Sequence, residues 1–173
     1  MKLRCAYLLV FIGIISCKTD KPLKQEKDLT WTQEDSYELN KEFVEEEEAE
    51  IEAFLLRHDD WKTTRTGTGL RYVIYKDSLS DSAKAGMTVK IKYDISLLDG
   101  TKCYTSDSTG PESFKVDKAD IESGLHQGVK LMSIGDKAKF IIPSPIAHGL
   151  AGDQDMIPPL QTVVYDIELV GLK

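Results

Sequence analysis

The chain is poor in residues that bring ready-made chemistry. Among 173 residues there are three cysteines, three histidines and two tryptophans. His58, His126 and His148 stand at no metal-ligand spacing from one another or from Cys103, which argues against a zinc site. No G-x-S-x-G elbow, P-loop or dinucleotide glycine pattern occurs, so hydrolase chemistry and nucleotide binding have no support. Basic charge is in deficit: 22 lysines and arginines face 29 acidic residues, a formal charge of −7. Nucleic acid as a partner usually needs a basic stripe, so the deficit argues against it. No apolar run reaches the roughly 18 residues that a membrane-spanning helix requires. What is present is 41% hydrophobic and 29% charged, the balance of a globular chain with room for one cored domain and an appendage.

The N-terminus reads as a processing segment. Lys2 and Arg4 precede a short apolar run, Ala6 to Ile15, and then Ser16-Cys17. A positive start, a short apolar stretch and a small residue at a cleavage point make a signal peptide. A cysteine directly after Ile14-Ile15-Ser16 resembles the bacterial lipoprotein signal, in which that cysteine is acylated and becomes the first mature residue. The expectation is a signal at 1–16, lipidation (palmitate) of Cys17, and a polar tether at 17–30. The alternative is an ordinary secretory peptide that happens to hold a cysteine. An acylated Cys17 makes a lipid bilayer one partner and places the exported domain in the cell envelope, on the outer membrane. With Cys5 removed and Cys17 acylated, Cys103 alone stays free, so the domain is expected to rely on packing rather than a disulfide.

Residues 31–62 predict an acidic helical segment. The helix is expected from Thr32 to about His58, with Thr32 or Asp35 at its cap. Phe43, Val44, Ile51, Phe54 and Leu55 form a broken apolar stripe, interrupted by Glu45 to Glu48. The acidic run reads as a solvated helix face. The stripe suits packing on its own domain or a dimer through a second copy, and the sequence does not choose between them.

After the turn-rich break at Thr63 to Gly69 the apolar period changes to two. Leu70, Tyr72 and Ile74 alternate with Arg71, Val73 and Tyr75. The same rhythm runs through Val89 to Leu97, Ala138 to Ile142 and Val163 to Leu169. Each strand has one apolar face, so an antiparallel sheet with a single covered side is expected. Leu125, Val129 and Met132 lie at i, i+4 and i+7, one stripe of a short helix. The predicted class is therefore α+β: a twisted antiparallel sheet wrapped around one short helix, preceded by the acidic helix.

An ordered series of motifs runs through the same region. It comprises Gly86-x-x-Val89-x-x-x-Tyr93, Leu98-Asp-Gly100, Ser106, Phe114-x-Val116 and Ile121-x-x-Gly124-Leu125-x-x-Gly128-Val129. Ile142-Pro143, Ala147-His148-Gly149, and Ile157-Pro158-Pro159 followed by Val163 to Leu169 complete it. From about residue 70 to 173 this resembles the FKBP-type peptidyl-prolyl isomerase domain, here expected over 63–173. With its lipoprotein signal, acidic helix and TGTGLRY stretch, the chain is most similar to the gliding-motility-associated FKBP-type lipoproteins of Bacteroidetes.

The resemblance implies a half-barrel around a short helix and catalysis of X-Pro isomerisation in client proteins, with no cofactor and no metal. It implies catalytic positions at Tyr93, Tyr104 and Tyr165. The implied pocket is Tyr93, Cys103, Tyr104, Ile121, Glu122, Leu125, His148, Ile157 and Tyr165, with Ile157 pointing in from a proline-stiffened flap. Several positions depart from the family pattern. Cys103 replaces an aromatic wall, Tyr104 a carboxylate, Leu125 a tryptophan and His148 a tyrosine, and Glu112 stands where phenylalanine is common. Glu122 replaces an aliphatic. These changes predict a shallower, wetter pocket. They leave two readings: an isomerase of altered strength, or a binding or chaperone module that keeps the fold.

Overall fold

The computed structural model describes residues 32–173. The signal at 1–16, Cys17 and the tether at 17–30 lie outside the described residues. Helix α1 runs Gln33–Arg57. Its start is fixed by a capping box, in which both of the expected cap residues take part. Thr32 Oγ1 accepts from Asp35 N at 3.1 Å, and Asp35 Oδ2 accepts from Thr32 N at 2.9 Å. Two otherwise orphaned donors are thereby satisfied.

The strands are β1 Thr64–Arg65, β2 Arg71–Lys76, β3 Thr88–Leu97, β4 Lys102–Thr105, β5 Glu112–Lys115, β6 Lys137–Ile142 and β7 Val163–Leu172. They form one antiparallel sheet in the order β1-β2-β6-β7-β3-β4, with β5 paired to β3 beside β4. The ten-residue strands β3 and β7 form its centre. β1, β4 and β5 were not evident from periodicity, because each is too short to show one.

A short helix α2, Ser106–Thr109, follows β4, and α3, Ser123–Val129, lies across the concave face. Leu125, Val129 and Met132 are buried there among Phe140, Ile142, Ile167 and Leu169. Two glycines let α3 lie this close to β6. A Cβ on Gly128 would stand 2.5 Å from the Phe140 ring, and one on Gly124 would stand 2.3 Å from Ile142 Cγ2.

The expectation of a single covered face is corrected. Ile141 and Val164 point to the convex side, yet both are buried, in a second small core with Ile51 and Phe54 of α1. Leu55, Trp61 and Leu98 close its margins. Apolar burial of this kind contributes roughly 1.5–3 kcal/mol per large side chain, which fixes α1 to its own sheet. Phe43 and Val44, included in the expected stripe, stay exposed.

The acidic run is also more than a solvated face. Glu45 and Glu46 are exposed, but Glu47 and Glu48 are half-buried. Arg71, on the convex side of β2, is 4% exposed. It pairs with Glu48 at 2.7 Å and with Glu52. Glu47 Oε1 accepts from Ser144 N and from Thr162 Oγ1, each at 2.6 Å. Those two residues stand at opposite ends of the long connection between β6 and β7, so α1 ties the base of that loop.

Candidate active site

At one end of α3 the two layers part around a cavity of about 480 Å³. β3 supplies Ile91, Tyr93 and Ile95 to it, alternate residues on the concave face. β5 supplies Glu112 and Phe114, β7 supplies Tyr165, and Leu125 comes from α3. The loop ahead of α3 contributes Asp120, Ile121 and Glu122, and the β6–β7 connection contributes Ala147, His148 and Ile157. Tyr104 of β4 stands at the same cavity.

Of the expected pocket residues, Tyr93, Tyr104, Ile121, Glu122, Leu125, His148, Ile157 and Tyr165 are therefore brought together. Cys103 is not. It is buried beside the wall, with Sγ 3.7 Å from the Met156 carbonyl and 3.8 Å from that of Thr101. Burial, with Asp153 and Asp99 nearby, pushes its thiol up. That is the condition of a small packing residue rather than a reactive one.

Tyr93 is held from behind. Its backbone N–H donates to Ser106 Oγ at 2.9 Å, which accounts for a buried serine at that place. Its ring tilts towards Tyr165, with centroids 6.4 Å apart. Burial pushes the Tyr93 phenol up, and the carboxylates of Glu112 and Glu122 add to this against a hydrogen bond with Thr109.

The flap is built around Asp153. Its Oδ1 accepts from Asp155 N at 2.9 Å and Ile157 N at 2.8 Å, while its own N–H donates to the Ile157 carbonyl at 3.0 Å. Gly152 precedes it at φ +64°, where a Cβ would lie 2.3 Å from the Ile157 carbonyl oxygen. The loop closes tightly there because no side chain intervenes. Ile157, 2% exposed, is thus held in the cavity wall. Pro158 and Pro159 fix φ directly behind it.

Tyr104 belongs to this latch. Its hydroxyl donates to Asp153 Oδ2 and accepts from Met156 N at 3.3 Å. The hydrogen bond to Asp153, with burial, pushes its phenol up to about 12. Its oxygen is therefore engaged in holding the flap, while the residue stands at the cavity with the other expected pocket residues.

Glu122 opens α3 and turns its side chain into the wall, where it is 10% exposed. Its Oε1 accepts from Tyr165 OH at 2.8 Å. Burial, with that carboxylate, pushes the Tyr165 phenol well above its usual range, so it remains a donor. His148 Nε2 lies 2.8 Å from the same oxygen, but off the line of a hydrogen bond, and is buried without a hydrogen-bond partner among the described residues.

Sequence reasoning missed Ile91, Ile95, Asp120, Asp153 and Glu47. The first two were inward positions of a recognised strand. Asp153 and Asp155 carried the signature of an Asx turn. Glu47 had no local signal, because its partners lie far along the chain. His126 was set aside as no metal ligand. It shapes the loop ahead of α3, accepting from Asp117 N through Nδ1 at 3.0 Å and pairing Nε2 with the Ala119 carbonyl at 3.1 Å.

Comparison with known proteins accounts for this assembly. Residues 80–170 match the family described as FKBP-type peptidyl-prolyl cis-trans isomerase. The chain is 36% identical over 97 residues to FK506-binding protein 2 of Dictyostelium discoideum, covering 56% of this chain and 73% of that one. It is 36% identical over 109 residues to the FKBP-type isomerase FkpA of Aeromonas hydrophila, covering 62% of this chain but 40% of that longer relative. The crystal structure of FkpA from Escherichia coli superposes with a TM-score of 0.66 at 29% identity, over 80% of this chain and 64% of that one. With its half-barrel, its proline-backed flap and a family match over more than half its length, the chain belongs to the FKBP-type peptidyl-prolyl cis-trans isomerases.

Proposed function

We propose that the protein catalyses cis–trans isomerisation of X-Pro bonds in proteins of the cell envelope. The observation that carries this reading is the open cavity walled by Tyr93, Ile121, Leu125, Ile157 and Tyr165. Resonance holds the prolyl peptide bond planar, and no bond need be broken to turn it. A site accelerates the turn by binding the twisted amide better than the planar one. The twisted form has less charge separation, so aromatic and aliphatic walls favour it. The latch of Tyr104 and Asp153 keeps Ile157 in that wall, and Glu122 holds the Tyr165 ring in place through its hydroxyl.

A second reading, a binding or chaperone module with little catalysis, draws support from Glu122. A carboxylate within the wall makes the cavity wetter than an aliphatic would. The experiment that separates the two is prolyl isomerisation of X-Pro peptides by the full-length protein in mild detergent. Acceleration well above the spontaneous rate is the expected result. A folded protein that leaves the rate unchanged would leave the binding module as the function.

The envelope assignment rests on the lipoprotein-like run ahead of Cys17. The likeness to gliding-motility lipoproteins makes components of that machinery the clients to try first. Replacing Cys17 by serine is expected to move the protein from the membrane fraction to the soluble one. Continued sedimentation with membranes would count against acylation at Cys17.

A further inference from the structure

Charge is the feature of the cavity that the isomerase reading does not need. Favouring a twisted amide calls for dry, apolar walls, yet carboxylates from Glu112, Asp120 and Glu122 line this one. They arrive from β5, from the loop ahead of α3 and from the start of α3 itself. Among the described residues no lysine or arginine lines the cavity, and His148 is the one basic residue there. Glu122 is nine-tenths buried and, among the described residues, pairs with no lysine or arginine; its neighbours are a neutral phenol and an imidazole on the same oxygen. Placing a carboxylate in such a wall is costly. On the convex face the same chain pairs its half-buried Glu48 with Arg71.

We propose that this excess of carboxylates selects the substrate: prolyl segments carrying lysine or arginine directly beside the proline, with Glu112 and Glu122 as specificity-determining residues. This rests on the isomerase reading and sharpens it. The apolar stem of a lysine or arginine lies along the aliphatic wall while its charged head reaches the carboxylates. An acidic residue at the same position meets like charge and is rejected.

The test uses the full-length protein and a series of peptides with Lys, Arg, Leu or Glu immediately before the proline. Isomerisation and peptide binding are measured in parallel. The expected kcat/KM for Lys-Pro and Arg-Pro exceeds that for Glu-Pro by about tenfold, or about 1.4 kcal/mol, with Leu-Pro between. Raising the salt from about 0.01 M to about 0.15 M shortens the screening length from about 30 to about 8 Å and narrows the gap. Glu112→Gln, at an exposed strand position, and Glu122→Gln each narrow it too. Equal rates for all peptides, or a best rate with Leu-Pro, overturn the selection and leave the isomerase intact. If no peptide is accelerated but binding keeps the charge order, the selection stands and the isomerase falls. Failure of both rate and binding overturns both.

Discussion

The two faces of this sheet differ in how their charges are partnered. On the convex face the charges beneath α1 are matched. Arg71 has Glu48 and Glu52, and Glu47 has two donors on one oxygen. Lys139 pairs with Asp166 at 2.5 Å and lies 4.7 Å from the centroid of the Trp61 ring. On the concave face the core beneath α3 is dry, but at the cavity mouth carboxylates outnumber basic groups. Matched charges specify how one element seats on another. At the cavity Glu122 is held by Tyr165 and His148, but Glu112 and Asp120 are exposed, and their charge is available to something that comes from outside.

The largest expected effect separates the faces by stability. Phe54→Ala removes a ring from the convex core and should cost about 3–5 kcal/mol, as such truncations do. It is read from the denaturant midpoint. Substrate affinity at a temperature where the variant is folded should change little, because Phe54 lines no wall of the cavity. A parallel loss of affinity would mean that the two faces act as one unit. Arg71→Met tests the same seam and should fall short of the roughly 3–5 kcal/mol of a broken buried pair. Its partner Glu52 is 59% exposed and recovers water.

A smaller effect tests the place where the faces are joined. Glu47→Ala leaves the Ser144 N–H and the Thr162 hydroxyl buried without their acceptor. An unsatisfied buried group costs about 1–3 kcal/mol. Because the two donors flank the β6–β7 connection, KM for an X-Pro peptide should also rise, with kcat less affected. Glu47→Gln retains a carbonyl oxygen that can accept both bonds and should restore KM. If stability falls while KM is unmoved, α1 supports the fold but not the flap.

The halves of this comparison were unequally legible in the sequence. Strands β2, β3, β6 and β7 announced themselves by alternation, and α3 by Leu125 and Val129, while Met132, the third member of the expected stripe, lies beyond the helix's end. β4 and β5 are four residues long, each with one buried apolar side chain, Cys103 and Phe114. No period can be read from one position. Alternation puts Ile141 and Val164 on the face opposite the main core, but nothing near either says that a helix far upstream covers them. Glu47 and Ser144 are 97 residues apart, a pairing that only the folded topology creates. At the cavity, family spacing located the aromatic and aliphatic wall. It misplaced Cys103, whose short side chain does not line the cavity where an aromatic was expected. The flap partner of Tyr104 was not legible either, because the aspartate that takes its hydroxyl lies 49 residues away.

The smallest expected effect concerns that latch and its response to pH. Burial pushes the Asp153 carboxyl up, but the Tyr104 hydroxyl and the amides of Asp155 and Ile157 outweigh it and hold the group below its usual range. A depressed folded value means that the stabilisation is present above the unfolded value, near 3.9, and is lost as pH falls through the folded one. At the other end Tyr104 keeps its proton until about 12. The latch should therefore stay closed across the whole neutral range and open only in acid. Amide chemical shifts of Asp155 and Ile157, followed from pH 7 downward, should show one transition with a midpoint below about 3.9. Asp153→Asn should abolish that transition. A midpoint at or above the ordinary aspartate value would mean that the hydrogen bonds do not outweigh burial. The flap would then be held by Pro158, Pro159 and the Gly152 turn alone. Glu47, remote from this carboxylate, should leave the transition where it is, which makes the titration a check on whether the two ends of the loop are held independently.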